Sequence, residues 1–240
     1  PAFYTEELIA GNQLESNRRD FLDLFHHRII SLIYRNWEKY RYYLQFEPGG
    51  KDRFSQWMYA LIGLGAAAQR EGLALDWERL LAYIGLLSMR SRSATTLARV
   101  LSHYFHDLPV GIQEYIERWV RIDPGQHALL GKANCRLGRD CTIGEEVRDR
   151  SGKFRVRIGP LDFATFRTYL PDGSQYRPLR DLVRFSLRDQ LEFDTSLTLQ
   201  QDEIPDLDLA ADNPCRLGWS SWLGRSPEQD VSVQLSYAGT

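Results

Sequence analysis

CRLGRDCTIG (residues 135–144) and CRLGWSSWLG (residues 215–224) lie 80 positions apart and share Cys, Arg, Leu and Gly in their first four places and Gly in their last. In that alignment Ile143 faces Leu223 and Cys141 faces Ser221. Each copy runs through a polar segment into an alternating strand, FRVRI (154–158) in one and VSVQL (231–235) in the other. A spacing of 80 residues is too long for a solenoid period. It fits two copies of one supersecondary unit, in which a strand leads into a long loop with a CRLG turn and a second strand returns. The loops, about 131–152 and 211–228, exceed ordinary connection lengths, and long loops in compact domains commonly carry function.

Working outward, the rest of the second half reads as α+β. Phe154, Val156 and Ile158 alternate with Arg155 and Arg157, which predicts a half-buried strand closed by Gly159-Pro160. Residues 161–170 and 179–188 read as two helices around Pro171-Asp172-Gly173, and 196–200 and 231–237 as further strands. The stretch from Val110 to Ile122 is ambiguous between strand and short helix. The first half reads differently. From Arg18 to about Phe46, apolar residues including Phe21, Phe25, Ile29, Leu32, Ile33, Trp37 and Tyr40 recur at spacings of three and four, which predicts one long amphipathic helix. Helices are also expected at about 54–70, 76–88 and 93–106. Residues 1–16 carry little periodicity and read as an extended arm. The expected layout is therefore an arm at 1–16, a helical region at 17–107 and an α+β region at 108–240 with two loop extensions. The fold class is α+β, a helical N-terminal region followed by a duplicated strand–long loop–strand unit with intervening helices.

Composition narrows the function. At 43% hydrophobic and 26% charged residues the chain is in the globular range, and a net charge of −2 provides no field toward nucleic acid or membrane. Three cysteines in 240 residues do not make a disulfide framework. Residues 118–190 hold fifteen Lys and Arg against nine acids, while 191–213 hold seven acids and no base, so these segments are expected to lie side by side.

The repeat also bears on the chemical sites the sequence offers. Cys135 and Cys141, with His103 and His106, could offer zinc ligands, but the C-x5-C spacing is loose for a zinc pair. The second copy also drops the second thiol. Gly63-Leu64-Gly65 with Ala68 matches G-x-G-x-x-A, but SQWMYALI before it has helical spacing where a dinucleotide loop needs a strand. Ser220 and Ser221 lack the second glycine of a nucleophile elbow. No catalytic residue, metal or cofactor is expected. The competing reading is a cytoplasmic enzyme using Cys135/Cys141 with a metal, or Gly63/Gly65 with a nucleotide. What both copies keep is a small thiol, a guanidinium, a leucine and turn glycines, which describes a shaped apolar loop suited to gripping a partner. Arg136 and Arg216 are expected to anchor the loops, to backbone carbonyls or to the acidic stretch 191–213.

DFLDLFHHRIISLIYRNWEKYR (20–41), FSQW with LIGLG (54–65), CRLGRDCTIGE (135–145), KFRVRIGPL (153–161) and CRLGWSSWLG (215–224) together resemble the TssG family (ImpH/VasB), a baseplate subunit of the bacterial type VI secretion system. The resemblance implies a structural role. TssG-like proteins join two copies of TssF and one of TssE into a wedge and link it to TssK trimers. The VgrG spike and contractile sheath are indirect neighbours. It also implies a cytoplasmic complex docked on the inner-membrane apparatus, with no direct membrane insertion and no nucleic acid. The family's N-terminal segment is expected to precede Pro1. The helix bearing Phe21 to Tyr40 is expected in an intersubunit bundle. Two TssK trimers are expected at Cys135, Arg136, Leu137, Gly138, Ile143 and Gly144, and at Cys215, Arg216, Leu217, Gly218, Trp219, Trp222, Leu223 and Gly224.

Overall fold

The computed structural model describes residues 2–10, 16–205, 215–222 and 230–237. The chain divides into two compact units, Pro1–Gly65 and Ala66–Thr240. The break therefore falls before the boundary expected at 107, and the helices between 66 and 104 belong to the second unit.

The first unit is helical: α1 (Ala2–Ala10), α2 (Ser16–Lys39), α3 (Tyr42–Gln45) and α4 (Arg53–Leu61). Helix α1 replaces the expected extended arm. AFYTEELIA is rich in Ala, Glu and Leu, which favour helix without a periodic stripe, so propensity prevailed where periodicity was silent. Helix α2 stops short of Phe46. Arg41 leaves helical backbone geometry, its guanidinium lies 4.4 Å from the Trp37 ring centroid, and the chain re-enters a single turn at α3. Asp52 caps α4 by accepting from the Ser55 N–H at 2.8 Å, and the Ser55 hydroxyl also donates to it at 2.6 Å. The helix expected over 54–70 ends early, because the Leu64 N–H reaches back to the Tyr59 carbonyl and the Gly63 N–H to that of Ala60. This is a Schellman cap with Gly63 at φ +88°.

The second unit continues with α5 (Ala67–Glu71), α6 (Trp77–Leu81), α7 (Ile84–Ser88) and α8 (Ala94–Tyr104), the last capped by Ser93 as its hydroxyl accepts from the Thr96 N–H. Six strands and two helices follow: β1 (Val110–Gln113), β2 (Arg118–Arg121), β3 (Glu146–Asp149), β4 (Lys153–Leu161), α9 (Phe163–Thr168), α10 (Tyr176–Ser186), β5 (Glu192–Leu199) and β6 (Val231–Ser236). Four strands form one sheet in the order β1-β4-β5-β6, with β4 and β5 parallel and the outer pairs antiparallel. Helices α8, α9 and α10 supply Val100, Leu101, Phe166, Leu179, Leu182 and Val183 to a core shared with Val156, Ile158, Leu197 and Leu199, all of them fully buried. Central β5 is buried on nearly every residue, whereas β4 shows the alternation expected of it.

The ambiguous stretch before Ile122 is β1 and β2. These strands continue each other along one ribbon, with β3 and β4 as the returning side. Gln113 pairs with Arg155 and Arg118 with Asp149, so five steps on one side (113 to 118) oppose six on the other (149 to 155). The two pairings are therefore offset by one residue where the connections at 114–117 and 150–152 join them. The returning strand of the first repeat is therefore β3, with β4 only its continuation into the sheet. FRVRI was the natural expectation because EVRD is short and solvated.

Candidate partner-docking turns

Each CRLG loop joins two antiparallel neighbours, β2 to β3 in the first copy and β5 to β6 in the second. Two backbone hydrogen bonds of the turn recur in both copies, and the first copy adds a third, from the Cys141 N–H to the Arg136 carbonyl at 3.2 Å. The Arg136 carbonyl accepts from the N–H groups of Arg139 and Asp140 at 3.1 Å, and the Arg216 carbonyl accepts from Trp219 at 3.1 Å and Ser220 at 2.9 Å. In the reverse direction the Arg136 N–H donates to Asp140 Oδ1 at 2.8 Å, and the Arg216 N–H to Ser220 Oγ at 3.0 Å. The glycine two residues after each arginine is left-handed, Gly138 at φ +75° and Gly218 at φ +82°, a region open to Gly at little cost. The 80-residue offset thus holds in three dimensions, down to a side-chain oxygen four residues after the arginine.

That oxygen was missed from the sequence, although Asp140 and Ser220 occupy matching places and are both short polar acceptors. The turn pushes the leucine outward: Leu137 is 91% exposed and Leu217 is 94% exposed. The same loop also presents Ile143, Leu130 and Leu129, all exposed. Cys135 and Arg136 are exposed and Gly144 is left-handed at φ +108°. Cys215, Arg216, Trp219 and Trp222 are half-buried. Leu223 and Gly224 lie outside the described residues.

Arg216 forms an ion pair with Asp172, which is neither a backbone carbonyl nor a member of the acidic stretch, the two anchors expected for it. Trp222 faces inward, its ring 6.3 Å from that of fully buried Phe166 on α9. Arg136 has no ion pair among the described residues. Of the acidic segment, Glu192 and Asp194 on β5 lie beside basic residues. Asp194 on β5 accepts from Arg155 Nε at 2.7 Å and from Nη2 at 2.9 Å, with Lys153 Nζ at 3.3 Å. Burial pushes the Asp194 carboxyl up, but the hydrogen bond from Arg155 and the charges of Lys153 and Arg155 outweigh it, so the carboxyl titrates below its ordinary range. At the ribbon's base, Arg118 binds Asp149 at 2.9 Å and Glu192 at 2.7 Å. The Ser151 hydroxyl and N–H, followed by Arg118, bring Asp149 down to about 2.

Helix α2 offers a second surface. All seven residues expected to face a bundle, Phe21, Phe25, Ile29, Leu32, Ile33, Trp37 and Tyr40, are exposed, and so are Leu24, Ile30 and Tyr34. At 1.5 Å per residue the helix is about 36 Å long. Ile30, Tyr34 and Trp37 lie on the side opposite Phe21, Phe25 and Leu32, so apolar residues occupy most of the circumference. Among the described residues of the first unit, Tyr59 and Leu64 are the buried apolar side chains.

The chemical alternatives find little geometry. No three metal-ligating side chains gather among the described residues, and the cysteines are free thiols. His103 is hydrogen-bonded to the Tyr83 hydroxyl, and His106 to Arg79 at 3.3 Å. Gly63 caps a helix, with no strand before it to form a dinucleotide loop. No described helix is long and apolar enough to cross a membrane.

A search of curated proteins returned no match. Two solved structures are similar. A type VI secretion TssK-TssF-TssG baseplate subcomplex, determined by cryo-electron microscopy, superposes with a TM-score of 0.71 at 23% identity, covering 89% of this chain and 90% of the other. A chain of the type VI secretion baseplate complex superposes at 0.60 and 25% identity, covering 98% of this chain and 67% of the other. The family described as Type VI secretion, TssG, matches residues 1–224. With that match spanning both units, the chain belongs to the TssG family, the structural baseplate subunits of type VI secretion.

Proposed function

We propose that this chain is a non-catalytic scaffold that holds TssF through helix α2 and TssK through its two CRLG turns. The observation that carries the docking reading is the repeated turn, two backbone hydrogen bonds built twice to expose one leucine each time. A leucine more than nine-tenths exposed gains nothing where it stands, while burying one stabilises a contact by roughly 1.5–3 kcal/mol. Small apolar anchors on a shaped turn, each next to an arginine in sequence, suit the centre of a protein interface. The similar subcomplex contains both TssK and TssF, which supports these two partners. The apolar circumference of α2 calls for cover on more than one side, as in an intersubunit bundle. On this reading two TssF copies and one TssE complete the wedge, two TssK trimers attach to it, and the assembly works on the cytoplasmic face of the secretion apparatus.

Co-expression with TssF and TssK tests the proposal. Leu137→Asp with Leu217→Asp should abolish TssK recovery and leave TssF bound. Ile29→Asp with Ile33→Asp should do the reverse. Full TssK recovery with both leucines replaced would remove the turns from the interface.

A further inference from the structure

The two turns share two backbone hydrogen bonds but differ in how they are held. Cys215–Trp222 is fastened to the body of its unit at three places. The Arg216 guanidinium pairs with Asp172 in the α9–α10 connection, Trp222 packs toward Phe166, and Ser220 is buried. Cys215 adds an internal tie, its thiol donating to the Ser220 carbonyl at 3.1 Å. The equivalent positions of the first turn have none of this. Among the described residues Arg136 has no ion pair, and Asp140 is exposed. The side-chain bonds nearest the turn, from Asn134 to the carbonyls of Gly125 and His127, stay within the loop itself. That loop stands at the tip of the β2–β3 ribbon.

We infer that the two turns are unequal docking sites: Cys215–Trp222 is preformed and binds first, and Asp172 and Phe166 are the positioning residues that preform it. The inference rests on the reading of both turns as TssK sites. Its physical basis is the cost of ordering. A turn already fixed binds without immobilising its side chains, whereas the ribbon tip must be ordered as it docks, at a cost of about two- to tenfold in affinity per side chain fixed. With Arg216 and Trp222 both held in advance, the second turn gains about tenfold or more over the first.

The test titrates TssK onto the complex of this chain with TssF and counts bound trimers by native mass spectrometry. The wild-type complex should load one trimer at about tenfold lower concentration than the next. Leu217→Asp should remove the tighter event and Leu137→Asp the weaker. Asp172→Ala, at a half-exposed position that leaves the core intact, should weaken the tighter event about threefold or more and spare the other. Equal loading of the two sites, or no effect of Asp172→Ala, overturns the inference while the docking reading stands. If neither leucine variant alters loading, the docking reading itself fails and the inference with it. A partner-free measurement separates the cases further. Backbone amides of Trp219 and Ser220 should exchange more slowly than those of Arg139 and Asp140, and equal exchange refutes preformation.

Discussion

Replacing Asp194 with Asn should loosen the centre of the sheet. The Asp194 carboxylate is 3% exposed and neutralises Arg155 and Lys153, whose side chains retain 19% and 20% exposure. Asn keeps the shape but turns an amide N–H2 toward the guanidinium and leaves two cations with no counter-charge. Breaking a buried pair from one side costs roughly 3–5 kcal/mol, and the residual exposure of both cations places this case near the lower end, about 3 kcal/mol. That corresponds to about a hundredfold loss of protection. Amide hydrogen exchange of β4 and β5 at neutral pH reads it where it acts. Val156, Ile158 and Leu197 should exchange about a hundredfold faster, with α2 unchanged. A companion variant, Arg155→Met with Asp194→Leu, should recover most of the loss, because apolar side chains replace a buried pair with little penalty. The sign of the pH dependence follows from the lowered Asp194 value. A carboxyl that is more acidic in the folded state stabilises above its unfolded pKa, and that contribution is lost as pH falls through the folded value. Wild-type protection of β5 should thus be flat near neutrality and decline in acid, and Asp194→Asn should flatten the acid limb. A change below threefold, or an acid limb that persists in the variant, would refute the reasoning.

Further outcomes concern the ribbon and the caps. Asp149 titrates at about 2, so its tie to Arg118 should survive at pH 4 and be lost toward pH 2, seen as accelerated exchange at Trp119 and Val120. Gly159→Ala should unfold or severely destabilise the second unit in thermal melts, because a Cβ at φ +129° would overlap the Thr198 carbonyl across the sheet. Ser93→Ala removes the α8 cap and should cost about 1 kcal/mol, measured as a lower urea midpoint with an unchanged slope.

What the sequence revealed follows from the range of each interaction. Ser93 and the helix after it were legible because a cap and its periodic face are local, as was the alternation of Phe154, Val156 and Ile158. Four-residue strands such as β1 and β2 hold too few residues to show a period, so their pairing emerged only in the fold. The break at Gly63 was hidden because a glycine inside an apolar helical pattern reads as close packing until its left-handed φ is known. The repeat announced a shared turn, and the turn is shared. The tether of Arg216 could not be read, because nothing local links residue 216 to Asp172. The packing of Trp222 toward Phe166 could not be read either, because the chain brings Phe166 from another helix.

The parallel pairing of β4 with β5 has a mechanical consequence. The first loop leaves the sheet at the start of β4 and the second at the end of β5, so the two turns emerge from opposite ends. Partners pulling on them would slide β4 against β5 along the strand axis. In that shear geometry the cross-strand hydrogen bonds from Lys153 to Leu161 share the load together, whereas a peeling force would break them one at a time. A sheet so loaded transmits tension between its two ends as a rigid link.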